Sequence, residues 1–292
     1  MRADMPQSVP DPRAAIAPFN MPLLKWIGSK QRTAPLIARH FPARFGTYFE
    51  PFLGAGGVLG TLAPPCAVAG DAYGPLMGIW EKLAADPDGL VGWYRERWAA
   101  AQEGDPKAVY ERMRARFNAD PNGPDLLYLV RACYGGVVRF RKKDGAMSTP
   151  CGPHRLLHPD KFARRVAEWA RRTEGTRFRC ADFRDTVADA RPGDLVYCDP
   201  PYSHAQAILY GAQAFRLADL FEEIARLKSA GVFVALSLDG AKRGETLPVD
   251  LPDGLFDRAV AVELDRSRLR RFQLRGRSVE GERVSERLLL TW

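Results

Sequence analysis

The stretch GTYFEPFLGAGGVLG, residues 46–60, constrains the fold more than any other part of the chain. Its apolar first half, 46–53, reads as a buried strand, and the glycines after it form a turn that opens a helix. A second short strand, CAVAGD (66–71), ends on Asp71 and leads into an amphipathic helix from about Leu76 to Leu83. Strand, helix and strand in that order imply parallel strands joined by right-handed crossovers. The same rhythm returns after residue 158. Phe162, Val166 and Trp169 fall at i, i+4 and i+7 of a helix, with Asp160 as its cap. TRFRCADF (176–183) and DLVYCDPPY (194–202) read as strands, and Leu217, Leu220, Phe221, Ile224 and Leu227 share one helical face. VFVALSL (232–238) and VSERLLLTW (284–292) read as further strands. The set predicts an α/β protein: an open, mostly parallel sheet with helices on both faces.

Between these halves, residues 86–158 carry helical patterns and the Gly/Arg/Lys-rich stretch CYGGVVRFRKKDGAMSTPCGPHR. They read as a mainly helical module inserted into a domain made of 21–85 and 159–292. Residues 1–20, with their four prolines, read as a disordered leader. The formal charge of +8 fits either a polyanionic partner or a solubilising surface. Five scattered cysteines without CxxC spacing point to reduced thiols, a cytoplasmic setting and no zinc site. His154 and His158 lack companions at ligand spacing, so no metal is expected. Nor is a membrane expected, because the chain has no signal peptide and no apolar run of about 18 residues.

Ligands of open α/β sheets bind beyond the carboxyl ends of the strands, where the strand order reverses. Gly54, Gly56 and Gly57 suit that place. A nicotinamide dinucleotide is disfavoured, because Leu59 stands where its fingerprint needs a third glycine. Asp71 ends its strand where a ribose hydroxyl would be held, and it suits equally the cap of the next helix. Asp199 closes another strand at the same cleft. Pro200 and Pro201 have no N–H, so the turn is stiff and presents carbonyls. A carboxylate beside a proline carbonyl makes two acceptors for an NH₂ group on a flat ring. The amine of adenine is a poor nucleophile. Hydrogen bonds to Asp199 and the Pro200 carbonyl would pyramidalise it, most strongly as positive charge develops on nitrogen. Tyr202 would stack on a base drawn out of the duplex.

These motifs, in this order, resemble the Dam-type DNA adenine-N6 methyltransferases of class alpha over roughly residues 22–292. LLKWIGSK (23–30) is similar to the family's K-W-x-G-x-K segment. The resemblance implies that Trp26 and Lys30 contact S-adenosylmethionine and that Lys25 lies near DNA. FEPFLGAGGVL (49–59) resembles the cofactor loop, which puts Phe52, Gly54 and Gly56 at the cofactor and Asp71 on its ribose. CADF (180–183) implies that Asp182 and Phe183 flank its adenine. Asp199, Pro200, Pro201 and Tyr202 match the catalytic tetrad, with Asp199 also beside the cofactor. Tyr210 and Phe215 match aromatic residues near the base or cofactor.

The resemblance also implies a Rossmann-like S-adenosylmethionine-dependent methyltransferase fold with an inserted target-recognition domain. The implied reaction methylates a flipped adenine in double-stranded DNA and leaves S-adenosylhomocysteine. A monomer is implied, with room for a cognate restriction endonuclease acting separately. Residues 126–152 resemble the DNA-contacting region but depart from it. Gly135-Gly136 replaces N-G, Arg139-Phe140-Arg141 lacks an asparagine, and Met147-Ser148-Thr149-Pro150 replaces F-N-x-P. The resemblance therefore does not by itself assign the usual GATC target to this chain.

Arg139, Arg141, Lys142 and Lys143 surround a hairpin turn at Asp144-Gly145, with Tyr134 and Phe140 among them. Such a set suits phosphate clamping, with one or two side chains reading or wedging bases. In DRSRLRRFQLRGRS (265–278), Arg266, Arg268, Arg270, Arg271, Arg275 and Arg277 suit backbone contacts. Two other readings share these residues: methylation of an amino group in RNA or protein, and a silent DNA-binding protein on the same fold.

Overall fold

The computed structural model describes residues 16–26, 28–141, 143–153, 155–201, 215–239, 241–242, 245–246, 250–264 and 284–292. Seven strands form the main sheet: β1 (Tyr48–Glu50), β2 (Ala67–Asp71), β3 (Thr176–Cys180), β4 (Leu195–Cys198), β5 (Phe233–Asp239), β6 (Arg258–Leu264) and β7 (Val284–Leu290). Their order is β3-β2-β1-β4-β5-β7-β6. The first five run parallel, and β7 lies antiparallel between β5 and β6. The order reverses between β1 and β4, which are direct neighbours, with Phe49 opposite Val196.

Strand residues alternate between two cores, as the period of two requires. Tyr48, Ala67, Leu195, Tyr197, Ala235 and Leu288 face one cluster. Phe49, Val68, Val196, Cys198, Leu236 and Leu289 face the other. Burial on both faces explains why the strands read as continuous apolar runs. β1 is shorter than the 46–53 reading because Pro51 follows Glu50 and cannot donate to the ladder.

Helix α1 (Ala34–Ala38) precedes β1, and α2 (Gly57–Leu62) follows it. Gly56 precedes α2 at φ +64°, a left-handed conformation in which a side chain would be strained. At Gly57 a Cβ would lie 2.6 Å from the Gln31 backbone nitrogen. Helix α3 (Gly74–Ala85) leads into α4 (Pro87–Ala100), α5 (Pro106–Ala119) and α6 (Gly123–Ala132) of the insert. Asp86, Asp105 and Asn122 cap the last three through side-chain oxygens. Asp125 of α6 is fully buried. It accepts from Arg97 Nε of α4 at 2.7 Å and from Arg116 Nε of α5 at 2.6 Å, which ties the three helices together.

Helix α7 (Pro159–Arg172) buries Phe162, Val166 and Trp169 as the spacing predicts, but its cap is His158, not Asp160. Pro159 takes the first helical position, so the residue before it becomes the cap, and His158 Nδ1 accepts from the Asp160 N–H at 3.3 Å. Helices α8 (Phe183–Thr186) and α9 (Leu217–Ser229) pack on the second core. The expected leader through residue 20 also ends sooner. Phe19 is buried against Trp169, with their ring centroids 5.1 Å apart, and its carbonyl accepts from Gln31 Nε2 at 2.6 Å. Residues 1–15 lie outside the described residues.

Candidate active site

A cavity of about 460 Å³ opens at the carboxyl ends of β1, β2 and β4. That volume lies within the usual range for small-molecule sites. Trp26, Lys30, Phe52, Gly54, Asp71, Asp182, Phe183, Asp199, Pro200, Pro201 and Phe215, all anticipated from sequence, line this one space. Gly54, at φ +49°, follows β1, and a Cβ there would meet the Trp26 indole at 3.4 Å. Asp71 Oδ2 accepts from the Gly54 N–H at 3.1 Å, and its Oδ1 accepts from the Tyr73 N–H at 3.0 Å. The cap position of α3 belongs to Tyr73. Asp71 therefore clasps the two loops that frame the cavity. Burial raises its carboxyl pKa against the pull of those amides.

Asp182 caps α8 through the Arg184 N–H at 2.9 Å. Phe183 then stacks on Phe52, at 5.5 Å between centroids, and Phe215 meets both rings edge-on. Arg184 lies over the Phe183 ring and reaches Asp219 of α9 at 3.2 Å. One side of the cavity is thus an aromatic wall with a charged rim.

The cavity also borders a buried charge cluster. Asp199 immediately follows β4, and its Oδ1 lies 2.7 Å from Lys30 Nζ. The same ammonium lies 3.1 Å from Glu286 Oε1 on β7. Lys30 and Glu286 are 7% and 8% exposed, so little water competes for these contacts. Burial alone lowers the Lys30 pKa, but the two carboxylates outweigh it and hold the ammonium above its ordinary value. Glu50, the last residue of β1, accepts at Oε2 from Tyr48 OH at 2.7 Å and from the Leu59 N–H at 2.9 Å. Burial nevertheless pushes its carboxyl up to about 8, with Asp199 adding to the rise. At pH 7 Glu50 is therefore mostly a neutral acid.

Sequence reasoning missed Glu50 and Glu286 as members of this site. Both carried a signal. Glu50 closes an apolar strand as Asp71 does, and Glu286 shares its strand face with Leu288 and Leu290. A charge at core-facing parity needs a partner.

Beside the cavity stands the hairpin. Phe140 pairs with Met147, the Arg141 N–H donates to the Ala146 carbonyl, and Gly145 turns at φ +66°. Val138, Phe140, Met147 and Thr149 are buried, while Arg139, Arg141 and Lys143 are exposed. Helix α5 pins the buried side, since Asn118 exchanges hydrogen bonds with Met147 and Tyr110 OH donates to the Thr149 carbonyl. Arg141 is bound to Asp144 at 2.7 Å. Phe140 packs on Tyr73 at 5.6 Å, and Tyr73 lines the cavity, so hairpin and cavity share a wall. Tyr134 at the hairpin base is 45% exposed. Lys25 is exposed too, and lost hydration and the nearby Arg131 charge lower its pKa.

Tyr202, Tyr210, Lys142, His154, Arg266, Arg268, Arg270, Arg271, Arg275 and Arg277 lie outside the described residues. Among the described residues no group of three or more His, Cys, Asp or Glu could hold a metal ion. No described helix is long and apolar enough to cross a membrane.

Comparison with known proteins agrees with this geometry. The family model of D12 class N6 adenine-specific DNA methyltransferases matches residues 26–234. The chain is 32% identical to the retron Ec67 DNA adenine methylase of Escherichia coli, over 62% of this chain and 63% of that protein. It is 27% identical to the type II methyltransferase M1.LlaDCHI of Lactococcus lactis subsp. cremoris, over 78% of this chain and 84% of that one. With the DNA adenine methylase of Serratia marcescens it shares 31% identity, over 68% and 75% respectively.

Proposed function

The chain belongs to the D12 class of N6 adenine-specific DNA methyltransferases, and from that premise we propose that it methylates the exocyclic amine of an adenine flipped out of duplex DNA. One observation carries the reading: Asp199 and the Gly54–Asp71 clasp border the same cavity, although they come from opposite sides of the strand-order reversal.

The residues present fit S-adenosylmethionine. Gly54 leaves open the space that a Cβ would take beside Trp26. Asp71 ends β2 where a ribose would lie, and Phe52, Phe183 and Phe215 offer apolar surface for its adenine. When bound, this group would supply a methyl on a sulfonium: the adenine N6 lone pair would form the new bond, the carbon–sulfur pair would return to sulfur, and the N6 proton would pass to solvent water.

Asp199 and the Pro200 carbonyl accept the two N6 hydrogens. Their grip tightens as positive charge grows on nitrogen, so they favour the transition state over the ground state. Lys30 holds the Asp199 carboxylate in place from the buried side. Tyr202 would supply the stacking wall and Tyr210 a further cofactor contact. Exposed Arg139, Arg141 and Lys143 on the hairpin would grip phosphates, with Lys25 and Tyr134 as further DNA contacts. Arg268 and Arg270 would add backbone contacts.

The test is Asp199→Ala, assayed for transfer of labelled methyl to DNA. Turnover should fall by at least about 10³-fold, while calorimetric cofactor affinity and DNA affinity change by less than about threefold. Turnover near that of the unaltered protein would refute the role of Asp199. Competition of transfer by duplex DNA against structured RNA tests the substrate class, and RNA should compete poorly.

A further inference from the structure

We infer that Glu286 is a positioning residue for methyl transfer: by sharing Lys30 with Asp199, it stops the lysine from neutralising the catalytic carboxylate. The inference rests on the adenine methyltransferase reading above.

Three features lead to it. Lys30 Nζ lies between the two carboxylates, 2.7 Å from Asp199 and 3.1 Å from Glu286. Those carboxylates sit just after β4 and within β7, strands separated in the sheet by β5, so the lysine bridges elements that do not pair. Glu286 itself does not line the cavity, although Lys30 and Asp199 do. It therefore acts on the reaction through Lys30.

The charges explain why a second carboxylate matters. Lys30 with Asp199 alone is a neutral pair. Its ammonium draws electron density from the oxygens that must accept the amine hydrogens, and the pair offers no net attraction to a cation. With Glu286 the trio carries one net negative charge. That charge faces the positive charge that moves to N6 during transfer. Glu50 does not supply it, because this acid is mostly protonated at neutral pH. A carboxylate on the strand face of Leu288 and Leu290 also costs free energy that another leucine would not. Its value at that position lies in the charge.

The experiment uses the full chain with plasmid DNA from a methylation-deficient host. Glu286→Gln keeps the shape and removes the charge. At saturating S-adenosylmethionine its turnover should fall about tenfold or more, the effect of one charge a few ångströms away at an effective dielectric near 20. Cofactor affinity by calorimetry, which reads the same attraction on the sulfonium before its charge moves to N6, should fall by a smaller factor than turnover. Glu286→Asp keeps the charge and should retain most of the turnover, and this variant decides the matter should Glu286→Gln fail to fold.

Thermal stability gives an independent readout. Lys30→Met should lower Tm by removing the ammonium that sits between the two carboxylates. Adding Glu286→Gln to Lys30→Met should raise Tm again, the reverse of what a packing role gives. Unchanged turnover in Glu286→Gln overturns the inference. So does equal loss in Glu286→Asp, or a further fall of Tm in the double variant. An unaltered protein that transfers no methyl to DNA defeats the functional reading itself, and the inference with it.

Discussion

Glu50 closes β1 at the cavity floor, and its titration makes a quantitative prediction. In the fold its pKa is about 8 against an ordinary 4.5. The folded state therefore binds this proton more tightly than the unfolded chain does. Stability from this group is fully present below pH 4.5 and is lost as pH rises toward 8. Each pH unit between those two values is worth about 1.4 kcal/mol, so the span amounts to roughly 4–5 kcal/mol. Glu50→Gln cannot ionise, yet its amide oxygen can still accept from Tyr48 OH and the Leu59 N–H. Denaturant unfolding of both proteins at unit steps from pH 5 to pH 9 isolates the group. The variant should gain on the unaltered protein by about 1.4 kcal/mol per pH unit and level off above about pH 8. A difference that stays constant across that range would show that burial does not hold the proton on Glu50, and the reasoning about floor charge would fail.

Two further outcomes follow from packing and from surface charge. Gly57→Ala places a Cβ 2.6 Å from the Gln31 nitrogen and 3.0 Å from the Lys30 carbonyl carbon, so the segment carrying Lys30 must move. Stability should fall by about 1–3 kcal/mol and turnover with it; a denaturation midpoint equal to the parent's would contradict this. Replacing Arg139 and Lys143 by Gln should weaken DNA binding at all sequences. It should also flatten the plot of log affinity against log salt by about 0.9 for each phosphate no longer gripped, and an unaltered slope would exclude both residues from the interface.

The secondary structure was legible because its signals are local. The runs leading to Asp71 and Asp199 are strands, the second stopping at Cys198, and the hairpin at Asp144-Gly145 turns where expected. Misreadings were local too. Pro159 at the first helical position marks His158 as the cap of α7, a signal that Asp160 obscured. Phe19 is an apolar residue amid prolines, and only the Trp169 and Arg172 side chains that receive it show that it belongs to the core.

By itself, then, the amino-acid order determined most segments that become strands and helices, though not β6 (Arg258–Leu264), and also which acids end strands and which glycines the turns require. These depend on backbone periodicity and on conformational freedom within a few residues. Only the tertiary structure decided that β1 lies against β4, that the last strand enters antiparallel, and that Lys30 sits between Asp199 and Glu286. Strand pairing and charge pairing join residues far apart in the chain. Their free energy comes from burial and mutual desolvation, which exist only once the chain has closed around them.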